Sequence, residues 1–209
     1  MPERHPLLIV EADEVVVERD LVGGLLACPA CGGVLARWGF ARERVLRCRE
    51  GDVVLRPRRA KCRACAGTHV LLGDRGLLRR QDEVAVIGAA LVAMVAGRGH
   101  RRVAADAGVP ASTVRGWRRA FVAGTEAIRS YFTRCAHALD AQLGAICATG
   151  GLAADALEAV AVAARAFVLR FGSRPVWSVV SVLCGGRLLC HTSLRLFGAE
   201  MFGQGARPW

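Results

Sequence analysis

Cys28-Pro-Ala-Cys31 and Cys62-Arg-Ala-Cys65 are the residues of this chain best able to do a defined chemistry. A CxxC step brings two thiolates to one side of a tight turn. Two such turns facing each other supply the four soft ligands that Zn²⁺ holds in a tetrahedron. Cys28, Cys31, Cys62 and Cys65 are therefore the expected metal ligands. With every coordination position filled by protein, the zinc is expected to be structural rather than catalytic. Gly32-Gly33 and Gly67 let the backbone turn tightly beside each pair. Thirty residues separate Cys31 from Cys62, more than the ribbon spacing of about 15–20, and short strands would occupy the extra length. Cys48, inside the gap, is a weaker alternative ligand. His69 is expected in a structural or surface role. Cys135, Cys147, Cys184 and Cys190 lack ligand spacing and read as buried small apolar residues.

The same gap concentrates charge. Between Arg37 and Arg63 lie ten basic residues against three acidic ones, much of the formal net charge of +11 carried by the 209-residue chain. A focused basic patch is the usual electrostatic footprint of a nucleic-acid-binding surface. Arg44, Arg47, Arg56 and Arg58 are the expected phosphate contacts here. Val34–Trp38, Arg44–Arg49, Val53–Arg58 and His69–Leu72 are strand candidates, with Gly51-Asp52 marking a hairpin. Val15-Val-Val is another strand candidate, in a segment where no function is readable.

After residue 81 the pattern changes to helical. Asp82 is the expected N-cap of a helix running through Met94, with Val84, Ile87, Leu91 and Val95 on one face. Gly97-Arg-Gly ends it. A short helix follows at His100–Ala107, then Gly108 where the chain needs a left-handed residue. A third helix covers roughly Ala111–Phe121, its core face formed by Val114, Trp117 and Phe121. This is the pattern of a helix-turn-helix, whose last helix enters the major groove of duplex DNA N-terminal end first. Ser112, Thr113 and Arg115 are the expected base contacts, Arg115 having the reach for guanine O6 and N7. Arg101, Arg102, Arg118 and Arg119 are the expected phosphate contacts. Pro110 stands where Ser or Thr commonly caps the third helix, so side-chain capping is lost unless Ser112 or a water substitutes. Two alanine-rich helices split near Thr149-Gly-Gly fill 125–172, a short helix covers Val176–Cys184, and the glycine-rich tail from Phe197 reads as loose.

Taken together, Cys-Pro-x-Cys-Gly-Gly, Arg-Trp-Gly, the arginine-rich stretch, Cys-Arg-x-Cys, Thr-His-Val-Leu-Leu and the Gly-His-Arg-Arg segment resemble small actinobacterial proteins. Those are labelled transposase-like or helix-turn-helix domain-containing and carry an N-terminal zinc-ribbon domain of unknown function. The resemblance covers about residues 20–122, with Trp177 and Gly185-Gly186-Arg187-Leu188-Leu189 as a further patch. It implies an architecture similar to the DNA-binding front end of insertion-sequence transposases and supplies no established activity.

The expected fold is therefore α+β and multidomain. Residues 1–27 would be an N-terminal extension, 28–80 a small β zinc ribbon, 81–124 a helix-turn-helix region and 125–209 an alanine-rich helical region. An RNase-H-type nuclease needs three carboxylates on a strand-rich core. After residue 122 the acids are Glu126, Asp140, Asp155, Glu158 and Glu200 in a helical context, so the catalytic half is expected to be absent. Double-stranded DNA is the expected partner, in a regulator or a transposase-related binding protein. A small transposase or recombinase with metal-dependent strand transfer is the alternative. A zinc-stabilised protein-interaction module, with its C-terminal helices forming a homodimer, is a third reading. Val84–Gly97 is too short to span a membrane and Leu152–Leu169 carries Asp155, Glu158 and Arg165, so both read as buried helices. The expected location is cytoplasmic, at the nucleoid.

Overall fold

In a computed structural model the chain is described for residues 7–190, and its fold is α+β. The loose tail expected from Phe197, with His191 and Glu200, lies outside the described residues.

The N-terminal part is a four-stranded sheet with one helix on one face. Its strands are β1 (Leu7–Val10), β2 (Leu35–Phe40), β5 (Arg58–Cys62) and β6 (Thr68–Gly73), in the order β1-β6-β5-β2. β1 runs parallel to β6, and the other pairs are antiparallel. Helix α1 (Glu14–Val22) covers one face, and Val17, Leu21, Leu26, Leu35, Ala60, Leu71 and the sulfur-bearing Cys28 and Cys62 pack beneath it. Two expectations change here. Residues 1–27 do not form a separate extension, because β1 and α1 are built into this sheet and its core. Val15-Val-Val is helix, not strand. Asp13 at the N-cap accepts from the Val15 amide at 2.8 Å, and Val17, Asp20 and Leu21 form the buried side of the helix. Capping and helical burial outweigh the β preference of three valines, and Val15 itself is 76% exposed.

β3 (Arg44–Cys48) and β4 (Gly51–Leu55) make a hairpin inserted between β2 and β5. Cys48 pairs with Gly51, so Arg49-Glu50 form the turn, with Gly51 at φ +128° opening β4 rather than centring the hairpin. The expected strand Val53–Arg58 is really the end of β4 and the start of β5. Pro57, which has no amide hydrogen for a ladder, lies between them. The hairpin is sutured to the helical part: Arg47 N–H donates to Gln81 O at 2.6 Å and Glu83 N–H to Arg47 O at 2.9 Å.

The rest is helical: α2 (Val84–Val95), α3 (His100–Ala107), α4 (Ala111–Ala123), α5 (Thr125–Leu139), α6 (Leu152–Phe171) and α7 (Val176–Leu183). One large core joins them, from Ile87 and Leu91 of α2 through Trp117 and Phe121 of α4 to Tyr131, Phe132 and Phe167 of the packed pair α5 and α6. Asp82 is not the N-cap of α2. Glu83 occupies that position without a side-chain capping bond, its carboxylate being taken by Arg75, while Asp82 is buried and paired with Arg47. Arg47 Nη2 donates to Asp82 Oδ2 at 3.0 Å, and Nε lies 3.0 Å from Oδ1 but is misaligned for a second hydrogen bond. Gly186, at φ +72°, accepts from the Leu78 amide at 2.8 Å, so that glycine patch has a packing role. No described helix is long and apolar enough to cross a membrane.

Candidate metal centre and basic surfaces

The two cysteine turns are built alike. Gly32 N–H donates to Cys28 O at 2.8 Å and Cys28 N–H to Gly33 O at 2.8 Å. Ala66 N–H donates to Cys62 O at 3.1 Å and Cys62 N–H to Gly67 O at 2.8 Å. The residue after each pair is left-handed, Gly32 at φ +71° and Ala66 at φ +58°. The first turn links α1 to β2 and the second links β5 to β6, so pairing of β2 with β5, Leu35 against Cys62, brings them face to face.

All four Sγ atoms lie within 4.8 Å of one another. Cys28 and Cys65 are 3.8 Å apart, and Cys31 and Cys62 3.5 Å. Four sulfurs about 2.3 Å from a central ion would be separated by about 3.8 Å, whereas a disulfide needs about 2.05 Å. The thiols are free and fit a tetrahedral metal ion. Gly33 keeps the space clear: a Cβ there would lie 2.7 Å from Ala64 Cβ and 3.0 Å from Cys62 Sγ.

The electrostatics call for a cation. The Cys65 and Ala64 amides hold the Cys62 thiol down to about 7 against its burial. At Cys31 the Gly33 amide pulls downward, but the neighbouring Cys62 and Cys65 thiols outweigh it and the group stands at about 12. Burial, the largest influence on Cys28, pushes that thiol up. Thiolates at this spacing repel one another, and a divalent ion between them removes that repulsion. His69 is buried, with Nε2 3.4 Å from Cys28 Sγ, placed to orient a ligand from outside the four. Cys48 is not in the cluster: its thiol faces Leu46 O at 3.6 Å and Arg75 Nη2 at 3.4 Å. Cys135 and Cys184 are buried as expected. Cys147 is exposed and Cys190 half-buried, because the loop after α5 and the end of the α7 segment lie at the surface.

The expected phosphate contacts divide. Arg44, its pKa lowered by burial, donates to Arg80 O. Arg47 is held by Asp82. Arg58 is bound through both Nε and Nη2 by Glu18 of α1, which also takes Arg37. Arg56 is exposed, its guanidinium 4.7 Å from the Phe40 ring centroid. Three of the four therefore have intramolecular work that is not legible in the sequence, since their partners are distant in the chain.

On α4, Val114, Trp117 and Phe121 are buried, while Ser112, Arg115, Arg118 and Arg119 are exposed and Thr113 is half-buried. Gly108 takes the left-handed conformation at φ +65° between α3 and α4. Pro110 caps α4 with no side-chain bond, and its carbonyl accepts from the Thr113 amide at 2.9 Å. Arg101 and Arg102 are exposed on α3. No described acid pairs with these five arginines, whereas Arg98 beside them is taken by Asp106. The remaining acids do not assemble: Asp155 accepts from Thr149 at the start of α6, Glu126 pairs with Arg129, and Glu158 is exposed. Among the described residues, the four cysteines are the one group placed to hold a metal ion. Comparison with protein-family models, with curated proteins and with solved structures returned no match to this chain.

Proposed function

We propose that the chain is a duplex-DNA-binding protein in which α3, its turn and α4 act as a helix-turn-helix and the four cysteines hold a structural Zn²⁺. The observation that carries this is the division of α4. Its apolar stripe anchors the helix in the core, and the opposite side presents Ser112, Arg115, Arg118 and Arg119 to solvent without described acidic partners. A rigidly held helix with unpaired guanidiniums suits a groove lined by phosphates. Ser112, Thr113 and Arg115 would meet base edges, and Arg101, Arg102, Arg118 and Arg119 phosphates. Zinc is favoured among metals by the four-thiolate set and its tetrahedral spacing.

Gel shifts with a random duplex pool, on wild type and on Arg115→Ala/Arg118→Ala, test the DNA reading. The wild type is expected to bind with affinity falling steeply as salt rises, and the double variant to bind about tenfold or more weakly with a shallower salt slope. Equal, salt-insensitive binding by both sinks the reading. Elemental analysis of protein purified without chelator is expected to give one zinc per chain.

A further inference from the structure

The sheet has a second face, opposite α1, and only half of it is covered. At the β1 end, Ile9 and Leu72 pack against Val182 of α7. At the β5-β2 end there is no such cover, and the residues there are an aromatic ring among cations. The reason for their placement is a β-bulge. β2 pairs Arg37 with Ala60 and then Phe40 with Arg58, so one extra residue is accommodated at Trp38-Gly39, with Gly39 at φ +91°. The bulge sends Trp38 and Phe40 to opposite faces. Phe40 lies on the α1 side, against Arg58 at 4.1 Å. Trp38 lies on the open side, with the Lys61 ammonium 4.3 Å from its ring centroid and 51% of its surface exposed.

Strand alternation puts Arg59 on the same face as Lys61, since Ala60 between them is buried under α1. A shallow cleft of about 280 Å³ opens beside them, lined by Arg42, Arg59, Thr68 and Val70. Unlike Arg37 and Arg58, the cations Arg42, Arg59, Lys61 and Arg63 have no ion pair with any described acid. A half-exposed indole with Lys61 over it, on a face that also carries Arg59 and borders the cleft with Arg42, is complementary to an unstacked base followed by its phosphates.

We propose that this open face binds single-stranded nucleic acid, with a base stacked on Trp38 and the flanking phosphates on Lys61, Arg59 and Arg42. A duplex hides its base faces inside the stack, so an exposed indole gains nothing from it. A single strand offers those faces freely, and stacking on an aromatic ring is largely indifferent to base identity. This site is separate in residues and ligand from the α4 surface and does not depend on it.

Fluorescence anisotropy of full-length protein with labelled 15-mer oligo-dT, oligo-U and a 15-base-pair duplex tests the proposal. Wild type is expected to bind at least one of the single strands. Trp38→Ala is expected to weaken that binding about tenfold or more, Trp38→Phe to retain most of it, and Arg42→Ala/Arg59→Ala to weaken it and flatten its salt dependence. All three variants should keep their zinc and leave duplex affinity unchanged. Arg115→Ala/Arg118→Ala should do the reverse, losing duplex affinity alone, so failure of one site is distinguishable from failure of the other. Tight binding of either single strand, lost with Trp38, supports the site, and the preferred sugar identifies DNA or RNA. No single-strand binding by wild type, or unchanged binding by zinc-loaded Trp38→Ala, overturns it.

Discussion

The sheet region and the helical region solve the problem of staying folded in different ways. Beneath α1 the sheet has a small core, and two of its buried residues, Cys28 and Cys62, also belong to the four-cysteine cluster that fits a metal ion. The helices share a far larger core, with Trp117, Phe121, Tyr131, Phe132 and Phe167 all buried. A small apolar core cannot offset the conformational entropy of ordering six strands and the turns between them. A metal ion held by the four thiols would close that gap, because its binding energy would become folding energy. The helical region has no such need. A seam joins the two: polar contacts of Arg47 with Asp82 and of Arg174 with Glu11 and the buried Asp74, beside the apolar packing of Ile9 and Leu72 on Val182.

Metal removal should break the comparison most visibly. Chelation, or Cys28→Ser/Cys62→Ser, is expected to unfold the sheet region, residues 7–73, while helices α2 to α7 persist. Apparent binding energies for four-ligand zinc modules, about 10–16 kcal/mol, exceed anything this sheet core can replace. Far-UV circular dichroism retaining most of its helical signal, together with rapid proteolysis confined to residues before α2, would show it. Simultaneous loss of both regions would mean the seam makes them one cooperative unit.

Trp117→Ala is the converse. It is expected to cost about 3–5 kcal/mol, read from urea unfolding followed at 222 nm, and to leave the zinc content intact. Two glycine substitutions sharpen the difference at lower cost. Gly88→Ala would place a Cβ 2.0 Å from the Trp177 ring, where α2 meets α7. Overpacking there is expected to destabilise the helices by about 1–3 kcal/mol. Gly33→Ala, 2.7 Å from Ala64 Cβ and 3.0 Å from Cys62 Sγ, should instead weaken metal retention against a competing chelator, with little effect on helix stability.

The smallest effect is a slope with pH at the seam. Burial and the nearby Glu11 carboxylate raise Asp74 to about 6 from 3.8, against the pull of Arg174 and Arg75. A raised carboxyl pKa means that the folded state binds this proton more tightly than the unfolded state. The contribution is therefore greatest below about pH 4 and is lost as pH rises through 6. Asp74→Asn should remove that part of the pH dependence, seen in urea midpoints at pH 5 and pH 8.

Much of the centre was legible because its signal is local. A CxxC step, a glycine two residues on and a left-handed residue between them act over six positions, and Cys28, Cys31, Cys62 and Cys65 could be named from spacing. Helices α3 and α4 were readable for the same reason, through Gly108 and the Val114, Trp117, Phe121 stripe. The partners of the arginines were not legible. Glu18 is 40 residues from Arg58, and Asp82 is 35 from Arg47. Composition marks such residues as cationic but cannot say which acid reaches them.

The sequence by itself determined the four-cysteine set, the helical periodicities and the excess of positive charge, since each depends on residue type and short-range spacing. The tertiary structure decided that Val15-Val-Val is helix, that β1 and α1 complete the sheet, and which cations remain unpaired. It also decided where Trp38 points, through a single inserted residue in β2. The physical reason is the same in each case: burial and ion pairing act through space, and chain neighbours do not reveal which distant surface will arrive.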